Sequence, residues 1–264
     1  VVGGEGGLMV VFMWRDFAQE LTLSNEDIYM AIRRPNKPVE EFVPVELFTA
    51  PTSIGSSTDR NINTGFPVDL GIFSHINSSS IGKVFDRLRG GNKQLATNQN
   101  NEYVANGSVQ FDDNLGITVG GGVAGVNNTG SSLIDFHWRR APGFFDVVAQ
   151  NGTNDRVFEH NLGVPPEMIW LKSTSNEQEW VVYVESLGDG SMGFNQYAYN
   201  PGQSGWSATD TTFTAAGGLI SPSKPYIAYL WASVPGICDI GTYTGNGATQ
   251  DIDCGFTNGA RFVL

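Results

Sequence analysis

The sequence contains an internal repeat, which constrains the fold more than any other feature of the chain. Four residues recur at one spacing of 93 positions, so that Trp138, Pro142, Gly143 and Asp146 return as Trp231, Pro235, Gly236 and Asp239. Self-similarity at a fixed period is the signature of an architecture built from copies of one structural unit. We therefore expect tandem modules of just under 100 residues.

A second alignment extends the repeat toward the N-terminus and sets the predicted boundaries. Residues 63–70 align with residues 161–168 at a spacing of 98. The apolar run 8–14 ends in Trp14 and resembles the run that ends at Trp138. The sequence predicts the end of a preceding repeat over 1–14, an insertion over 15–45, a first repeat over 46–140, a second repeat over 141–233, and the start of a third repeat or closing strands over 234–264.

Within one copy the pattern indicates strands. Short runs rich in β-branched and aromatic residues, such as 180–184 and 226–231, are bounded by turn dipeptides such as Asn151-Gly152. The 33 glycines and 12 prolines fit many tight turns. A single sheet of this size would leave one apolar face in water, so the strands must form two packed layers. The expected fold class is all-β, with tandem β-sandwich repeats of jelly-roll or lectin-like type.

The insertion over 15–45 departs from this pattern. Ser24 and Asp27 have the spacing of a helix capping box and precede the apolar Ile28. We therefore expect a short helix that ends before Pro35. Insertions between repeats lie on one face and often carry function or contacts.

The charge balance excludes two classes of partner. The chain carries 27 acidic against 15 basic residues, a formal net charge of −12 and a pI of about 4.5. A surface of this sign repels nucleic-acid phosphates and anionic lipids. No apolar run approaches the roughly 18 residues that a bilayer-spanning helix requires. We expect a protein that binds no nucleic acid and does not insert into a membrane.

The inventory of reactive side chains predicts that the protein is not an enzyme. His75, His137 and His160 are far apart in sequence and have neither metal-ligand nor triad spacing. Nucleophile elbows, phosphate-binding loops and Cys-x-x-Cys pairs are missing from the sequence. The acidic stretches 112–114 and 251–253 lack the register of a calcium loop. We expect no catalytic residue, no bound metal and no cofactor.

The tryptophans divide into two groups. Trp14, Trp138 and Trp231 hold one repeat position at the end of an apolar strand, which favours a shared core role. Trp206 follows the polar stretch 202–205, and we expect it on an exposed loop. An exposed tryptophan offers a stacking surface, so Trp206 is the candidate binding residue.

The two cysteines and the chain ends leave alternatives open. Cys238 and Cys254 fit either two small buried hydrophobes or a disulfide, so the sequence does not fix a redox compartment. The chain begins with Val1 and ends in strand-like residues 261–264. We expect either a processed chain or a segment of something longer.

Several stretches resemble a known family. They are residues 157–172, 180–183, 226–231 and 241–247. Together they resemble the tandem β-repeat found in virion proteins of tailed bacteriophages, many of them marine. The resemblance covers residues 61–264 and excludes the insertion over 15–45. It implies a structural virion protein, a tail fibre or surface-exposed adhesion module, and it carries no catalytic residue over to this chain.

The resemblance also implies partners and a location. Other virion proteins and copies of the same chain are the expected partners, with host-surface glycan as a further one, and the location is the extracellular virion. Unpaired strand edges at residues 8–14 and 261–264 would favour oligomers or docking onto a neighbour. Two alternatives stay open: a protein that binds or degrades host-surface carbohydrate, and a head decoration protein.

Overall fold

The structure, a computed structural model, describes most of the chain from residue 46 onward. The described residues are 9–11, 29–31, 46–76, 82–100, 103–104, 109–175, 178–194, 203–257, 259–260 and 262–263. The chain divides into two compact units, Val1–Glu41 and Phe42–Leu264.

In the smaller unit the described residues form two short strands. These are β1 (Met9–Val11) and β2 (Tyr29–Ala31), which pair in parallel. Most of the helix expected after Ser24 lies outside the described residues, as does Trp14. The described part of that stretch is β2, a strand rather than a helix, because pairing with β1 satisfies its backbone groups.

The first half of the larger unit contains ten strands. They are β3 (Phe48–Thr49), β4 (Thr52–Ile54), β5 (Arg60–Asn63), β6 (Leu70–His75), β7 (Lys83–Asp86), β8 (Lys93–Ala96), β9 (Tyr103–Val104), β10 (Val109–Gln110), β11 (Gly116–Val119) and β12 (Ser132–Trp138). A large antiparallel sheet has the order β3-β12-β6-β7-β8-β9, and β4 also pairs with β12. A small antiparallel sheet has the order β10-β11-β5.

The second half contains seven strands in two further antiparallel sheets. They are β13 (Phe145–Asn151), β14 (Val157–Glu159), β15 (Met168–Ser173), β16 (Val181–Val184), β17 (Ser207–Ala208), β18 (Thr212–Thr214) and β19 (Pro225–Trp231). The large sheet has the order β13-β19-β15-β16, and the small sheet has the order β14-β18-β17. The one complete helix among the described residues is a 3₁₀ turn, Glu185–Leu187, so the all-β class is confirmed. No described helix has the length and apolar character needed to cross a membrane.

Each half buries a core between its large and its small sheet. In the first half, Phe73 and Phe85 of the large sheet meet edge to face, 5.7 Å between ring centroids, in one cluster with Val119 of the small sheet. In the second half, Phe158 and Phe213 stack at 4.9 Å within the core. Alternate residues of a strand point to opposite faces, so each large sheet has a second face left to cover.

The large sheets of the two halves contact each other through that second face. Trp138 at the end of β12 and Trp231 at the end of β19 lie 6.3 Å apart between ring centroids and are 4% and 3% exposed. Trp231 also packs against Trp170 of β15 at 4.3 Å. The core role predicted for Trp138 and Trp231 is confirmed, and the two residues share one aromatic cluster.

Polar groups buried at this contact are hydrogen-bonded across it. The Tyr229 hydroxyl of the second half donates to Asp86 Oδ2 of the first at 2.8 Å. Arg89 Nη2 of the first half donates to the Tyr229 hydroxyl oxygen at 3.2 Å. Trp180 Nε1 donates to the carbonyl oxygen of Ala96 at 2.8 Å. These bonds fix the register between the halves, because an unpaired buried partner would be unfavourable.

After β19 the chain makes a tight turn and leaves the sheets. Val234 and Cys238 form an isolated bridge. The described residues from 239 onward form no strand, so closing strands are not observed among them. Phe262 packs against Phe136 at 4.9 Å and Trp138 at 5.4 Å. The tail thereby extends the aromatic cluster at the end of β12.

Candidate binding cleft

The second half carries a cleft of about 220 Å³ next to β16. It lies between the residues that lead into β16, the segment that comes after β16, and the end of the loop before β19. The polar side chains used in the following argument are those of Gln178, Glu179, Ser191, Gln203 and Tyr226, which line the cleft. Apolar walls come from Leu171 of β15, and from Met192 and Leu219.

The floor of the cleft is held in place by the Tyr226 hydroxyl. This oxygen accepts the backbone N–H of Ser221 at 2.8 Å. The same hydroxyl can donate to Gln178 Oε1 or to the Leu219 carbonyl oxygen, each 3.3 Å away. The hydroxyl therefore ties three segments of the chain together around the cleft.

The opposite wall combines a hydroxyl and an amide. The Ser191 hydroxyl donates to Gln203 Oε1, which joins the segment after β16 to the segment before β17. Ser191 is buried, and Met192 beside it pairs with Val182 of β16 through two backbone hydrogen bonds of 2.7 and 2.8 Å. The wall is thus fixed to the edge of the sheet.

Glu179 has an oxygen that the described residues leave unpaired. Its Oε1 accepts from Asn100 Nδ2 of the first half at 2.8 Å. Its Oε2 is buried and has no hydrogen-bond partner among the described residues. An unsatisfied buried carboxylate oxygen is unfavourable for the folded chain.

The charge and size of the cleft define the ligand that would fit it. Glu179 is the single charged residue among the described residues that line it. A carboxylate repels anions, whereas amide and hydroxyl groups match neutral hydroxyl-bearing ligands. The volume is below the roughly 300 Å³ of typical drug-sized pockets. The cleft therefore suits a small neutral polyol, such as one sugar ring.

Trp206 does not line this cleft and is not exposed. It is 8% exposed and stacks on Tyr183 of β16, 4.8 Å between ring centroids and 17° between ring planes. Gly205 beside it donates its N–H to Asp189 Oδ1 at 3.1 Å, which holds the loop against the sheet. The exposure expected of Trp206 is therefore wrong, because Tyr183 supplies a stacking partner. A role for Trp206 in binding stays a prediction.

The described histidines are not grouped. His137 is buried in the first core, where desolvation and then the charge of Arg60 lower its pKa to about 3. His160 lies in the second half, where desolvation lowers its pKa and its Nδ1 accepts the N–H of Leu162 at 3.2 Å. Across the described residues, no group of three or more His, Cys, Asp and Glu side chains is placed to hold a metal ion.

The two cysteines are free thiols that line one shallow cleft after β19. Burial raises the pKa of Cys238 to about 12, with a further contribution from Glu167. The pKa of Cys254 is also raised, by desolvation and then by Asp239. Neither thiol is activated as a nucleophile, because both thiolates are disfavoured.

The fold and cleft describe an all-β protein with two joined two-sheet halves and a small polar cleft. Comparison with protein families shows that the chain belongs to the DUF7483 family, described as a domain of unknown function, which matches residues 43–264. No curated protein and no solved structure matches the chain.

Proposed function

We propose that the chain is a structural protein of a tailed-bacteriophage virion, where it serves as a tail fibre or surface-exposed adhesion module. The observation that carries the proposal is the buried aromatic contact between the two halves, centred on Trp138 and Trp231. It joins the two β-modules through buried aromatic rings. The resemblance of the second half to virion β-repeats is the reason for proposing a tailed-bacteriophage particle.

The strand order supports two copies of one sandwich, of jelly-roll or lectin-like type. In the first half β12 lies between β6 and the pair β3 and β4, and in the second half β19 lies between β15 and β13. In the small sheets β11 lies between β10 and β5, as β18 lies between β17 and β14. Every strand of the second half therefore has a counterpart in the first, while β8 and β9 of the first half have none among the described strands, and this fits tandem repeats of just under 100 residues.

Such a protein would act by presenting stable surfaces. The aromatic part of the contact between the halves is buried, so salt does not screen it as it screens exposed charge pairs. The net charge of −12 keeps the surface soluble and favours neutral or cationic partners. Its partners would be copies of itself and other virion proteins, in an extracellular particle.

The proposal is tested on purified particles. Mass spectrometry of the particles should contain peptides of this chain in stoichiometric amount, and a cryo-electron microscopy map should place its paired modules on the tail. Placement on the capsid shell would assign the chain to head decoration instead. Absence from the particles, together with a stable monomer at micromolar concentration, would refute the proposal.

A second candidate function is binding of a host-surface carbohydrate in the cleft. The amide and hydroxyl groups of Gln178, Ser191 and Gln203 in the cleft favour it, because such groups exchange hydrogen bonds with sugar hydroxyls. A glycan array with the whole chain should give specific binding to neutral glycans. Glu179→Gln should weaken that binding by about tenfold or more, since a hydrogen bond to a charged group is lost.

The matched control is Glu185→Gln, which changes an exposed carboxylate outside the cleft. Equal effects of the two substitutions would show that the glycan does not bind in the cleft. A reducing-sugar release assay separates binding from hydrolysis, and product formation would contradict a purely structural role.

A further inference from the structure

A lysine, an asparagine and a glutamate meet at the contact between the two halves. Lys172 Nζ of β15 donates to the backbone carbonyl oxygen of Asn100 at 2.7 Å. Asn100 belongs to the first half, and its side-chain Nδ2 donates to Glu179 Oε1 of the second half at 2.8 Å. One asparagine of the first half therefore contacts both an amine and a carboxylate of the second half.

The lysine of this group is fully buried, whereas lysine is rarely found so in proteins. In β15 it follows Trp170 by two residues, so both side chains lie on the face of the large sheet that contacts the first half. Lys172 Nζ also donates to the carbonyl oxygen of Ser173 at 2.6 Å. The amine is therefore held beside Asn100, away from water.

The glutamate of this group is positioned by its neighbour Trp180. Trp180 is 1% exposed, and its Nε1 donates to the Ala96 carbonyl oxygen of the first half at 2.8 Å. Glu179 also lines the open cleft described above. The carboxylate therefore lies between Asn100 and a route to solvent, through which a small product can leave.

We propose that Lys172 and Asn100 form an intramolecular isopeptide bond, an amide between Lys172 Nζ and Asn100 Cγ, with the release of ammonia. Nζ contacts the backbone oxygen of the residue that carries Cγ, and rotation about side-chain single bonds can bring the two reacting atoms together. An amine attacks a carbonyl carbon in its neutral form, and burial of a lysine disfavours the charged form.

Glu179 is the proton carrier of this reaction. Its carboxylate takes a proton from the Lys172 ammonium, and the neutral Nζ then attacks Asn100 Cγ, whose carbonyl electron pair moves onto Oδ1. When the carbonyl forms again, the bond from Cγ to Nδ2 breaks, and Glu179 Oε1, already hydrogen-bonded to Nδ2, gives the leaving nitrogen its proton. Nζ loses two protons in all: one completes ammonia, and the other leaves with it as ammonium.

The bond would tie the two halves together covalently. It would join β15 to the segment after β8, through residues 72 positions apart in sequence. Closing such a loop restricts the unfolded chain and thereby stabilises the folded one. The reaction involves this chain alone, takes place once in each molecule and requires no particle, so the proposal can fail independently of the proposed function.

The test is the mass of the folded parent chain. Intact-mass spectrometry should find the chain lighter than its sequence by one ammonia molecule. Trypsin does not cleave after an acylated lysine, so a digest made under denaturing and reducing conditions should contain one linked pair of peptides. One peptide would carry Asn100, and the other would carry an uncleaved Lys172. A folded chain with the full mass of its sequence would overturn the proposal.

Ammonia loss by another route is separated by the linked peptides. An Asn-Gly dipeptide such as Asn151-Gly152 also releases ammonia when it forms a succinimide, but this reaction joins no two peptides. Loss of ammonia without a linked pair, or with a pair that excludes Lys172, would therefore overturn the proposal.

Two substitutions test the assigned roles. Lys172→Arg keeps a positive charge and hydrogen-bond donors but cannot form this amide, so it should keep the full mass. Glu179→Gln should slow bond formation by about a hundredfold or more, because the proton carrier is lost. The matched controls Lys224→Arg and Glu185→Gln, both at exposed positions, should lose ammonia as the parent chain does.

Thermal unfolding of each variant shows whether it folds, and the mass of the parent chain decides the proposal if Lys172→Arg does not. A linked pair in Lys172→Arg would overturn the assignment of the nucleophile. Equal rates of bond formation in Glu179→Gln and Glu185→Gln would overturn the assignment of the proton carrier.

Discussion

Replacing His137 should remove a large part of the acid sensitivity of this protein. His137 is fully buried beside Phe73, 5.6 Å between ring centroids, and neither ring nitrogen has a hydrogen-bond partner among the described residues. Desolvation, followed by the charge of Arg60, lowers its pKa from 6.5 to about 3. The folded chain therefore keeps this imidazole neutral at pH values where the unfolded chain protonates it.

The magnitude is set by the difference between the two pKa values. Above pH 6.5 both states are neutral, and the stability associated with His137 is fully present. As the pH falls below 6.5, the unfolded state binds a proton that the folded state does not, and stability is lost until the pH reaches about 3. Each pH unit is worth about 1.4 kcal/mol, so the loss is about 2.7 kcal/mol at about pH 4.5.

The assay is urea unfolding of the parent chain and of His137→Phe between about pH 7.5 and pH 4.5. The free energy of unfolding of His137→Phe minus that of the parent chain should rise by about 2.7 kcal/mol as the pH falls over this range. Burial raises the pKa of Asp135, which acts in the opposite sense, but Asp135 is present in both chains and leaves the difference unchanged. A difference that stays flat over this range would refute the reasoning.

Two further predictions concern buried groups. Tyr229→Phe should lower the free energy of unfolding by about 1 to 3 kcal/mol in urea titrations, because Asp86 loses a buried donor. The control Tyr243→Phe, at an exposed position, should change the free energy of unfolding by less than about 0.5 kcal/mol. Equal effects of the two substitutions would contradict the stabilising role of the hydrogen bond between Tyr229 and Asp86. With Cys254 replaced by serine, Cys238 should react with a thiol reagent more slowly at about pH 8 than an unperturbed cysteine, because its pKa is about 12. Fast labelling would show that the thiol is not buried.

The sequence predicted those parts of the fold that depend on local pattern. The all-β class was indicated by short β-branched runs and turn dipeptides, and the core positions of Trp138 and Trp231 by their shared spacing. These signals are local or repeat at a fixed interval. The fold class and the recurring core positions can therefore be predicted from a single sequence.

The sequence did not predict features that depend on distant partners. Trp206 follows a polar, glycine-containing stretch, yet it is buried by stacking on Tyr183 of β16, a strand of the other sheet. The cleft was missed because Glu179 owes its position to Asn100, 79 residues away. The contact between Tyr229 and Asp86 joins residues 143 apart. No periodicity within a strand carries information about such pairs.

Comparison of the two halves shows that strand pairing of this kind does not require the buried titratable residues of the first core. Asp135 and His137 point into the first core from β12, where Arg60 Nη1 donates to Asp135 Oδ2 at 2.6 Å. At the spacing of 93, the corresponding positions of β19 are Ala228 and Leu230, both fully buried in the second core. The same pairing of strands therefore forms with apolar residues at these positions. Since a buried ion pair is often no more stabilising than apolar packing, its presence in one half alone makes the two halves respond differently to acid.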